Sequence, residues 1–82
     1  MSFSGKVAIV TGAASGMGLA ITNELINQNA QVGALDVQAP SEQLKKNDPN
    51  NLKFVNCDVS DESQVKKAIE QIYSKFGKLD FL

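Results

Sequence analysis

The stretch Lys6-Val-Ala-Ile-Val-Thr-Gly-Ala-Ala-Ser-Gly-Met-Gly18 decides the fold of this chain. It opens with an apolar run, Val7 to Val10, which is typical of a strand buried on both faces between layers of helices. Glycine-rich sequence follows, and apolar residues then recur at helical spacing. The residues on the predicted apolar face are Met17, Ala20, Ile21 and Leu25. The stretch therefore predicts a strand, a glycine turn and an amphipathic helix.

The glycines of the turn, Gly12, Gly16 and Gly18, indicate an anionic ligand. Glycine adopts positive φ angles cheaply, and it has no β-carbon that would hold a pyrophosphate away from the backbone amides. The amides at the start of the next helix have no intrahelical partner, and the aligned peptide dipoles add roughly half a positive charge there. A phosphate fits such a helix end. On the glycine spacing alone, a plain structural turn remains the alternative.

Residues 11–18, Thr-Gly-Ala-Ala-Ser-Gly-Met-Gly, resemble the cofactor motif Thr-Gly-x-x-x-Gly-x-Gly of the short-chain dehydrogenase/reductase family. The resemblance continues along all 82 residues. It implies an α/β fold with a Rossmann-like parallel sheet and flanking helices, in the order β-α-β-(α)-β-α and the start of a fourth strand. It also implies that residues 1–82 form a single NAD-binding domain, the N-terminal part of a larger domain.

The family resemblance implies an oxidoreductase that transfers hydride between NAD(H) and an alcohol or carbonyl substrate. It implies, as hypotheses, that Gly12 permits the turn and that Gly16 and Gly18 allow close backbone and helix contact. Ser15 and Met17 would approach the cofactor with side-chain and backbone donors. The complete enzyme is expected to be a homo-oligomer.

Composition narrows the class of protein. The chain has 82 residues, 43% of them apolar and 21% charged, which fits one small globular domain. Its net charge is −1 and its basic runs are no longer than Lys45-Lys46, so nothing indicates nucleic-acid binding. The apolar runs are far shorter than the roughly 20 residues that span a bilayer, and the N-terminus lacks the pattern of a signal peptide. We therefore expect a cytoplasmic protein without a membrane partner.

The sequence offers little for metal binding or nucleophilic catalysis. It has one cysteine, Cys57, and no histidine, so an internal disulfide and imidazole chemistry are both excluded. A catalytic cysteine would lack its usual partner, and Cys57 is interpreted as a partly buried structural thiol.

A second strand is predicted over residues 30–36, after a helix over residues 16–29, and it ends at Asp36. Asp36 lies 18 residues beyond Gly18, close to the spacing of about 20 at which an acidic residue of a dinucleotide-binding fold meets the adenosine ribose. Its carboxylate can accept hydrogen bonds from both ribose hydroxyls, and it would repel a 2′-phosphate. The alternative is that Asp36 merely caps a turn.

Cofactor preference follows from two positions where NADP-preferring members of the resembling family tend to have a basic residue. Here they are Val37 and Ser15, and neither is basic. The prediction is therefore NAD(H) in preference to NADP(H).

The middle of the chain is predicted to hold a short helix with Pro40 in its first turn and its end at Lys46, or otherwise a variable loop, and then a turn over residues 47–51. A third strand is predicted over residues 52–56. It leads to Asp58-Val59, a pair that resembles the family's Asp-Val after the third strand, where the carboxylate approaches the adenine amino group and the next residue packs beside the ring. Taken alone, Asp58 could equally be a plain loop acid.

The last part of the chain predicts a helix that begins at Ser60, whose hydroxyl would cap it, and ends near Gly77. Its apolar stripe reads as core packing: Val65, Ala68, Ile69, Ile72 and Phe76. A fourth strand is predicted to start at residues 79–82, with the strands in the order third, second, first, fourth and the cofactor between the first and the fourth.

No catalytic residue is assigned. The resembling family uses a Ser and a Tyr-x-x-x-Lys pair, whereas Tyr73 has Gly77 four residues later and is interpreted as structural. A freestanding nucleotide-binding or interaction module without catalysis is the alternative. A flavodoxin-like domain fits the alternating elements, but the glycines and Asp36 argue against it.

Overall fold

Strands and helices alternate along residues 3–80, the part of the chain that the computed structural model describes. The strands are β1 (Val7–Thr11), β2 (Gln31–Asp36) and β3 (Leu52–Asn56). The helices are α1 (Gly16–Asn27), α2 (Glu42–Lys45) and α3 (Glu62–Phe76). Strand β2 lies between β1 and β3, and both pairs are parallel. The predicted α/β class, the parallel sheet and the order of the first three strands are confirmed.

The register of the sheet brings the carboxyl ends of its strands together. Thr11 of β1 is paired with Leu35, and Asp36 of β2 is paired with Asn56 of β3. The loops that follow the three strands therefore emerge along one edge of the sheet, the edge at which parallel α/β folds bind ligands.

Alternate residues of each strand face opposite helices, since side chains in a strand alternate between its two faces. One face packs against α3 and forms a core of Val7, Ile9, Leu35, Cys57, Ala68 and Ile72. The other forms a core of Val10, Ala13, Val32 and Ala34, against which Leu25 and Ile26 of α1 pack. The apolar run predicted to be buried on both sides is therefore buried by two different layers.

Helix α3 lies close to the sheet at Gly33. A β-carbon at that position would lie 2.4 Å from Cδ1 of Ile72, a side chain that is itself fully buried. The glycine lets the Ile72 side chain rest on the backbone of the central strand. The predicted apolar stripe of α3 is confirmed, with Ala68 and Ile72 buried and the other three members packed against the core.

The predicted apolar face of α1 is wrong at its N-terminal end. Met17 is 79% exposed and Ile21 is 46% exposed, while Thr22 is fully buried. The side of α1 that meets the sheet is the one that carries Thr22, Leu25 and Ile26. Met17 and Ile21 instead line an open groove beside β1.

Two helix starts differ from the predictions by one or two residues. Asp61, not Ser60, caps α3: its carboxylate accepts hydrogen bonds from the amides of Ser63 (3.0 Å) and Gln64 (3.3 Å). Helix α2 starts at Glu42, and its cap is Ser41, so Pro40 precedes the helix instead of lying in its first turn. Both caps accept from amides that lack an intrahelical partner.

The helix ends follow standard rules of capping. Helix α1 stops at Asn27, two residues before its predicted end, because Asn29 takes a positive φ of 71° and the Ala30 amide donates back to the Leu25 carbonyl. Gly77 ends α3 with a φ of 78°, as predicted. Among the described residues, each helix is too short or too polar to span a bilayer.

The predicted fourth strand lies partly outside the described residues, since residues 81 and 82 are beyond them. Residues 79 and 80 are not a strand. Asp80 nevertheless contacts β1 twice: its amide donates to the Val7 carbonyl at 2.8 Å, and its carboxylate accepts from the Val7 amide at 2.9 Å. Because the Lys6 carbonyl accepts from Gln31 of β2, the backbone groups of Val7 point to the opposite side. The start of the segment therefore lies on the side of β1 where the fourth strand was expected.

Candidate functional site

All the residues predicted to bind the cofactor lie at the carboxyl edge of the sheet or on the helix turn directly behind it. They belong to the loops after β1, β2 and β3 and to the start of α1. In chain order they are Gly12, Ser15, Gly16, Met17, Gly18, Asp36, Val37, Asp58 and Val59. The fold thus gathers residues that are up to 47 positions apart in the sequence.

The glycine loop, residues 12–18, needs glycine at two positions for its backbone conformation. Gly12 has a φ of 65° and Gly16 a φ of 58°, a region that residues with a β-carbon rarely adopt. A β-carbon at either position would meet no atom within 4 Å. The space in front of the loop is therefore open, and any side chain there would project into it.

Gly18 is required for a different reason, which is close packing. A β-carbon on Gly18 would lie 2.0 Å from the carbonyl oxygen of Gly12, so only glycine lets α1 approach the loop this closely. The Gly18 carbonyl accepts a 2.8 Å hydrogen bond from Oγ1 of Thr22, the one polar residue among the described residues that is classed as buried. Gly18 thus fixes the start of α1 against the end of β1.

The N-terminus of α1 has no side-chain cap within the described part of the chain. Ser15 occupies the cap position, but its hydroxyl makes no hydrogen bond to the first turn, and its side chain is exposed. Helices α2 and α3, by contrast, are capped by Ser41 and Asp61. The amides of the first turn of α1 therefore keep their positive potential for a ligand.

Asp36 joins the end of β2 to the glycine loop. Its Oδ2 accepts a 2.9 Å hydrogen bond from the amide of Ala14, and its Oδ1 accepts a 3.0 Å bond from the amide of Gln38. The bonds from Gln38 and then Ala14 lower the pKa of the Asp36 carboxyl, although partial burial opposes them. Asp36 is therefore ionised at neutral pH and placed beside the loop.

Asp58 is held from two directions in the loop after β3. Its Oδ1 accepts from the hydroxyl of Ser60 (2.7 Å) and from the Ser60 amide (2.9 Å), and these bonds lower the pKa of the Asp58 carboxyl. Its amide donates to Oε1 of Gln64 at 2.9 Å. The Ser60 hydroxyl is thus bonded to Asp58, and the cap of α3 is Asp61.

The loops at this edge also expose apolar side chains. Met17 is 79%, Val37 59% and Val59 56% exposed, one in each of the loop regions that follow β1, β2 and β3. Apolar side chains next to the carboxylates of Asp36 and Asp58 give the mixed apolar and polar lining that is typical of small-molecule sites.

A groove of about 620 Å³ runs from the glycine loop along β1. Its lining residues are Ile9, Val10, Thr11, Gly12, Ser15, Met17, Gly18 and Ile21. Asp58 and Val59 lie two strands away from it, and among the described residues no hydrogen bond joins them to the glycine loop. The structure therefore separates a part of the site at the glycine loop from a part at the ends of β2 and β3.

Cys57 lies beneath this edge and is 1% exposed. Burial, followed by the negative charges of Asp58 and Asp61, raises the pKa of its thiol, so the thiol is neutral and packs in the core with Ile72. Tyr73 is 55% exposed on α3. Cys57 therefore has the environment of a structural residue, as expected from the sequence.

Two contributors to the site were missed by the sequence analysis. Ala14 acts through its backbone amide, which every residue other than proline has, so no sequence signal marks it. Gln64 holds the Asp58 backbone while its Nε2 donates to Asp61 at 3.2 Å. The spacing Asp61-x-x-Gln64 resembles a capping box, and this pattern would have identified both Gln64 and the correct cap.

A protein-family model described as short chain dehydrogenase matches residues 6–82 of the chain. Among curated proteins, the NAD(+)-specified 15-hydroxyprostaglandin dehydrogenase of Macaca fascicularis is 36% identical over 88 aligned positions, which cover 100% of this chain and 33% of that protein. The chain thus spans about a third of the length of the curated relatives it matches.

Solved structures give the same picture. A 3-ketoacyl-(acyl-carrier-protein) reductase from Brucella melitensis complexed with NADH is 36% identical, with a TM-score of 0.87 over 96% of this chain and 33% of that one. The glucose dehydrogenase of Caenorhabditis elegans in its apo form is 28% identical, with a TM-score of 0.85 over 98% of this chain and 37% of that one.

Proposed function

The chain belongs to the short-chain dehydrogenase family, and from this premise we propose that residues 1–82 form the NAD(H)-binding part of an oxidoreductase. When bound, NAD(H) supplies or accepts the hydride that passes to or from an alcohol or carbonyl substrate. The residues that would protonate and hold that substrate are not assigned in this chain. Its own part is to bind and orient the dinucleotide as the N-terminal portion of a larger domain.

One observation carries the proposal: an uncapped helix N-terminus lies behind a glycine loop whose missing side chains leave open space. The pyrophosphate of a dinucleotide would be held by the loop amides and the dipole of α1, with Gly12 and Gly16 providing access and Gly18 the close fit. Ser15 and Met17 would border the phosphates. Two relatives support a nicotinamide dinucleotide, since one is named for NAD(+) and another was solved with NADH.

The ionised Asp36 supports the preference for NAD(H) over NADP(H). Its carboxylate would accept hydrogen bonds from the adenosine ribose and would repel a 2′-phosphate. The neighbouring side chains offer no positive charge to offset that repulsion, because residue 37 is valine and residue 15 is serine. Asp58 and Val59 would hold the adenine end, the carboxylate near the amino group and the valine beside the ring.

Calorimetric titration of the folded chain with NADH and with NADPH tests the proposal. We expect saturable binding, with NADH at least tenfold tighter. Gly16→Val, which puts a branched side chain into the open space before the loop, and Asp36→Ala should each weaken NADH binding at least tenfold. Asp36→Ala should also narrow the difference between NADH and NADPH.

Matched controls separate binding from stability. Gly5 also has a positive φ (80°) with open space around it, but it precedes β1, so Gly5→Val imposes the same type of backbone strain away from the site. Asp48 lies in the turn before β3, and its carboxylate accepts a hydrogen bond from the amide two residues later, as the carboxylate of Asp36 does. Gly5→Val and Asp48→Ala should keep wild-type affinity. A folded chain that binds neither dinucleotide would contradict the proposal and favour an interaction module.

A further inference from the structure

The glycine loop is attached to the sheet by two consecutive amides. The amide of Ala13 donates to the Leu35 carbonyl at 3.2 Å, and the amide of Ala14 donates to Oδ2 of Asp36 at 2.9 Å. Both alanines are buried, at 0% and 7% exposure. The Asp36 carboxylate holds the loop at Ala14, as the Thr22 hydroxyl holds it at Gly18, so Asp36 forms part of the loop's support.

We propose that Asp36 is a positioning residue for the pyrophosphate-binding loop in addition to being a ribose ligand, acting through the amide of Ala14. This inference rests on the proposed function. The bond fixes the loop directly before Ser15 and Gly16, where the backbone turns into α1. Loss of the carboxylate therefore releases the loop as well as the ribose.

The two roles are compatible in one side chain. An ionised carboxylate has about four acceptor positions, and the amides of Ala14 and Gln38 occupy one on each oxygen of Asp36. The amide of Val37 also interacts with the carboxylate, and acceptor capacity remains for ribose hydroxyls. Because both oxygens are already bonded, the carboxylate is held in one orientation before any ligand arrives, and this lowers the entropy cost of binding.

The two roles predict opposite results for a ligand without ribose. If Asp36 contacted only the ribose, Asp36→Ala would leave inorganic pyrophosphate binding unchanged, or would strengthen it by removing a like charge. If Asp36 also positions the loop, Asp36→Ala weakens pyrophosphate binding. We expect a loss of at least fivefold, despite the opposing electrostatic effect.

The experiment is a titration of the 82-residue chain with inorganic pyrophosphate and, separately, with NADH, followed by the amide NMR signals of residues 16–18. Asp36→Asn should restore pyrophosphate affinity to within about twofold of wild type, because its amide oxygen can still accept from Ala14. Asp36→Asn should still bind NADH more weakly than wild type does, because the ribose hydroxyls lose a charged acceptor. Asp48→Ala is the matched control and should change neither affinity.

Hydrogen exchange adds a readout that needs no ligand. Asp36→Ala should speed exchange of the Ala14 amide at least tenfold, and Asp36→Asn should leave it near the wild-type rate. Failure of the wild-type chain to bind NADH would overturn the proposed function. If the wild-type chain binds NADH, any one of three results would overturn the positioning role. The first is pyrophosphate that leaves the amide NMR signals of the wild-type chain unchanged, and the second is pyrophosphate that binds Asp36→Ala as tightly as wild type. The third such result is an Ala14 amide that exchanges at the wild-type rate in Asp36→Ala.

Discussion

Glycine serves two separate physical purposes within one short loop. At Gly12 and Gly16 the backbone takes positive φ angles, and the cost of any other residue would be conformational strain. At Gly18 the backbone is helical, and the cost would be a collision with the Gly12 carbonyl. The first pair shapes the surface that faces a ligand, whereas the third holds the helix in place behind that surface.

Gly18→Ala is therefore expected to destabilise the fold. The added β-carbon would meet a backbone carbonyl, which cannot rotate away as a side chain does, so α1 has to shift. Overpacking of this kind costs about 1–3 kcal/mol, and we expect the upper part of that range. Urea unfolding followed by circular dichroism would measure it.

Met17→Ala in the same turn is the control. Its side chain is 79% exposed, and its removal should change the free energy of unfolding by less than about 0.5 kcal/mol. Equal stability of Gly18→Ala and wild type would show that the loop and helix yield without cost at this contact.

Sequence reasoning at the residue scale found the glycines and Asp36 but missed the bond between Asp36 and Ala14. Glycine and aspartate are recognisable in a sequence because their roles depend on residue type: glycine has no side chain, and aspartate has a carboxylate. A backbone amide carries no such mark, and its direction is set by the turn around it. The interpretation of Asp36 as a mere turn cap is partly right in physical terms, since it does accept from the amide of Gln38.

Among the elements, the contact between α3 and β2 depends on the pairing of Gly33 with Ile72. The large side chain of the helix fills the place that a side chain on the central strand would take. Glycine is otherwise unfavourable within a strand, so its presence here has a packing reason. The pair sets how close α3 lies to the sheet.

We expect Gly33→Ala to cost about 1–3 kcal/mol, because Ile72 is fully buried and must move. Ile72→Ala alone should cost about 2–5 kcal/mol through lost burial and a cavity. In the double variant the new methyl group occupies part of that cavity. The double variant should therefore lose less stability than the sum of the losses in the two single variants. Urea unfolding of all four proteins completes the cycle, and strict additivity would show that the two residues do not share this space.

Elements were easier to predict than their faces and caps. The short helix α2 was predicted from Pro40 and the turn after Lys46. Apolar patterning located the three strands, α1 and α3, because a buried run or stripe leaves a mark in the sequence. It could not show that Met17 and Ile21 line a groove while Thr22 is buried, since that depends on which side of α1 meets the sheet. Likewise, Ser60 and Asp61 are both good caps, and the sequence does not show that Asp61 caps α3 while Ser60 bonds to Asp58.

At the scale of the whole molecule, aspartates at both ends of the sheet link stability to pH. Hydrogen bonds lower the pKa of Asp36, Asp58 and Asp80, the last chiefly through the Val7 amide. In the unfolded chain these groups return to about 3.9. Between the folded and unfolded values the unfolded chain binds more protons, so stability rises with pH there. Their contribution is complete above the unfolded pKa and is lost as the pH falls through the folded values.

The free energy of unfolding should therefore fall as the pH drops below about 4, the region of the unfolded aspartate pKa. Asp80→Asn should reduce this decline, because the amide oxygen of asparagine can still accept from Val7 but is not protonated by acid. It should also lower the free energy of unfolding at pH 7, where a neutral amide replaces the charged carboxylate. Urea unfolding at intervals from pH 3 to pH 7 would measure both effects. A variant with the wild-type slope would contradict the role given to Asp80.

The pair of hydrogen bonds between Val7 and Asp80 joins residues 73 positions apart, which has a consequence for synthesis of the chain. The ribosome releases Val7 early and Asp80 only after the whole of α3, so Val7 lacks this partner through nearly all of the translation of residues 1–80. A nascent chain that stalls before residue 80 presents a β1 strand with an unsatisfied edge, and such edges recruit other strands. Slower elongation through α3 would therefore lengthen the time for which Val7 at this edge of β1 lacks Asp80.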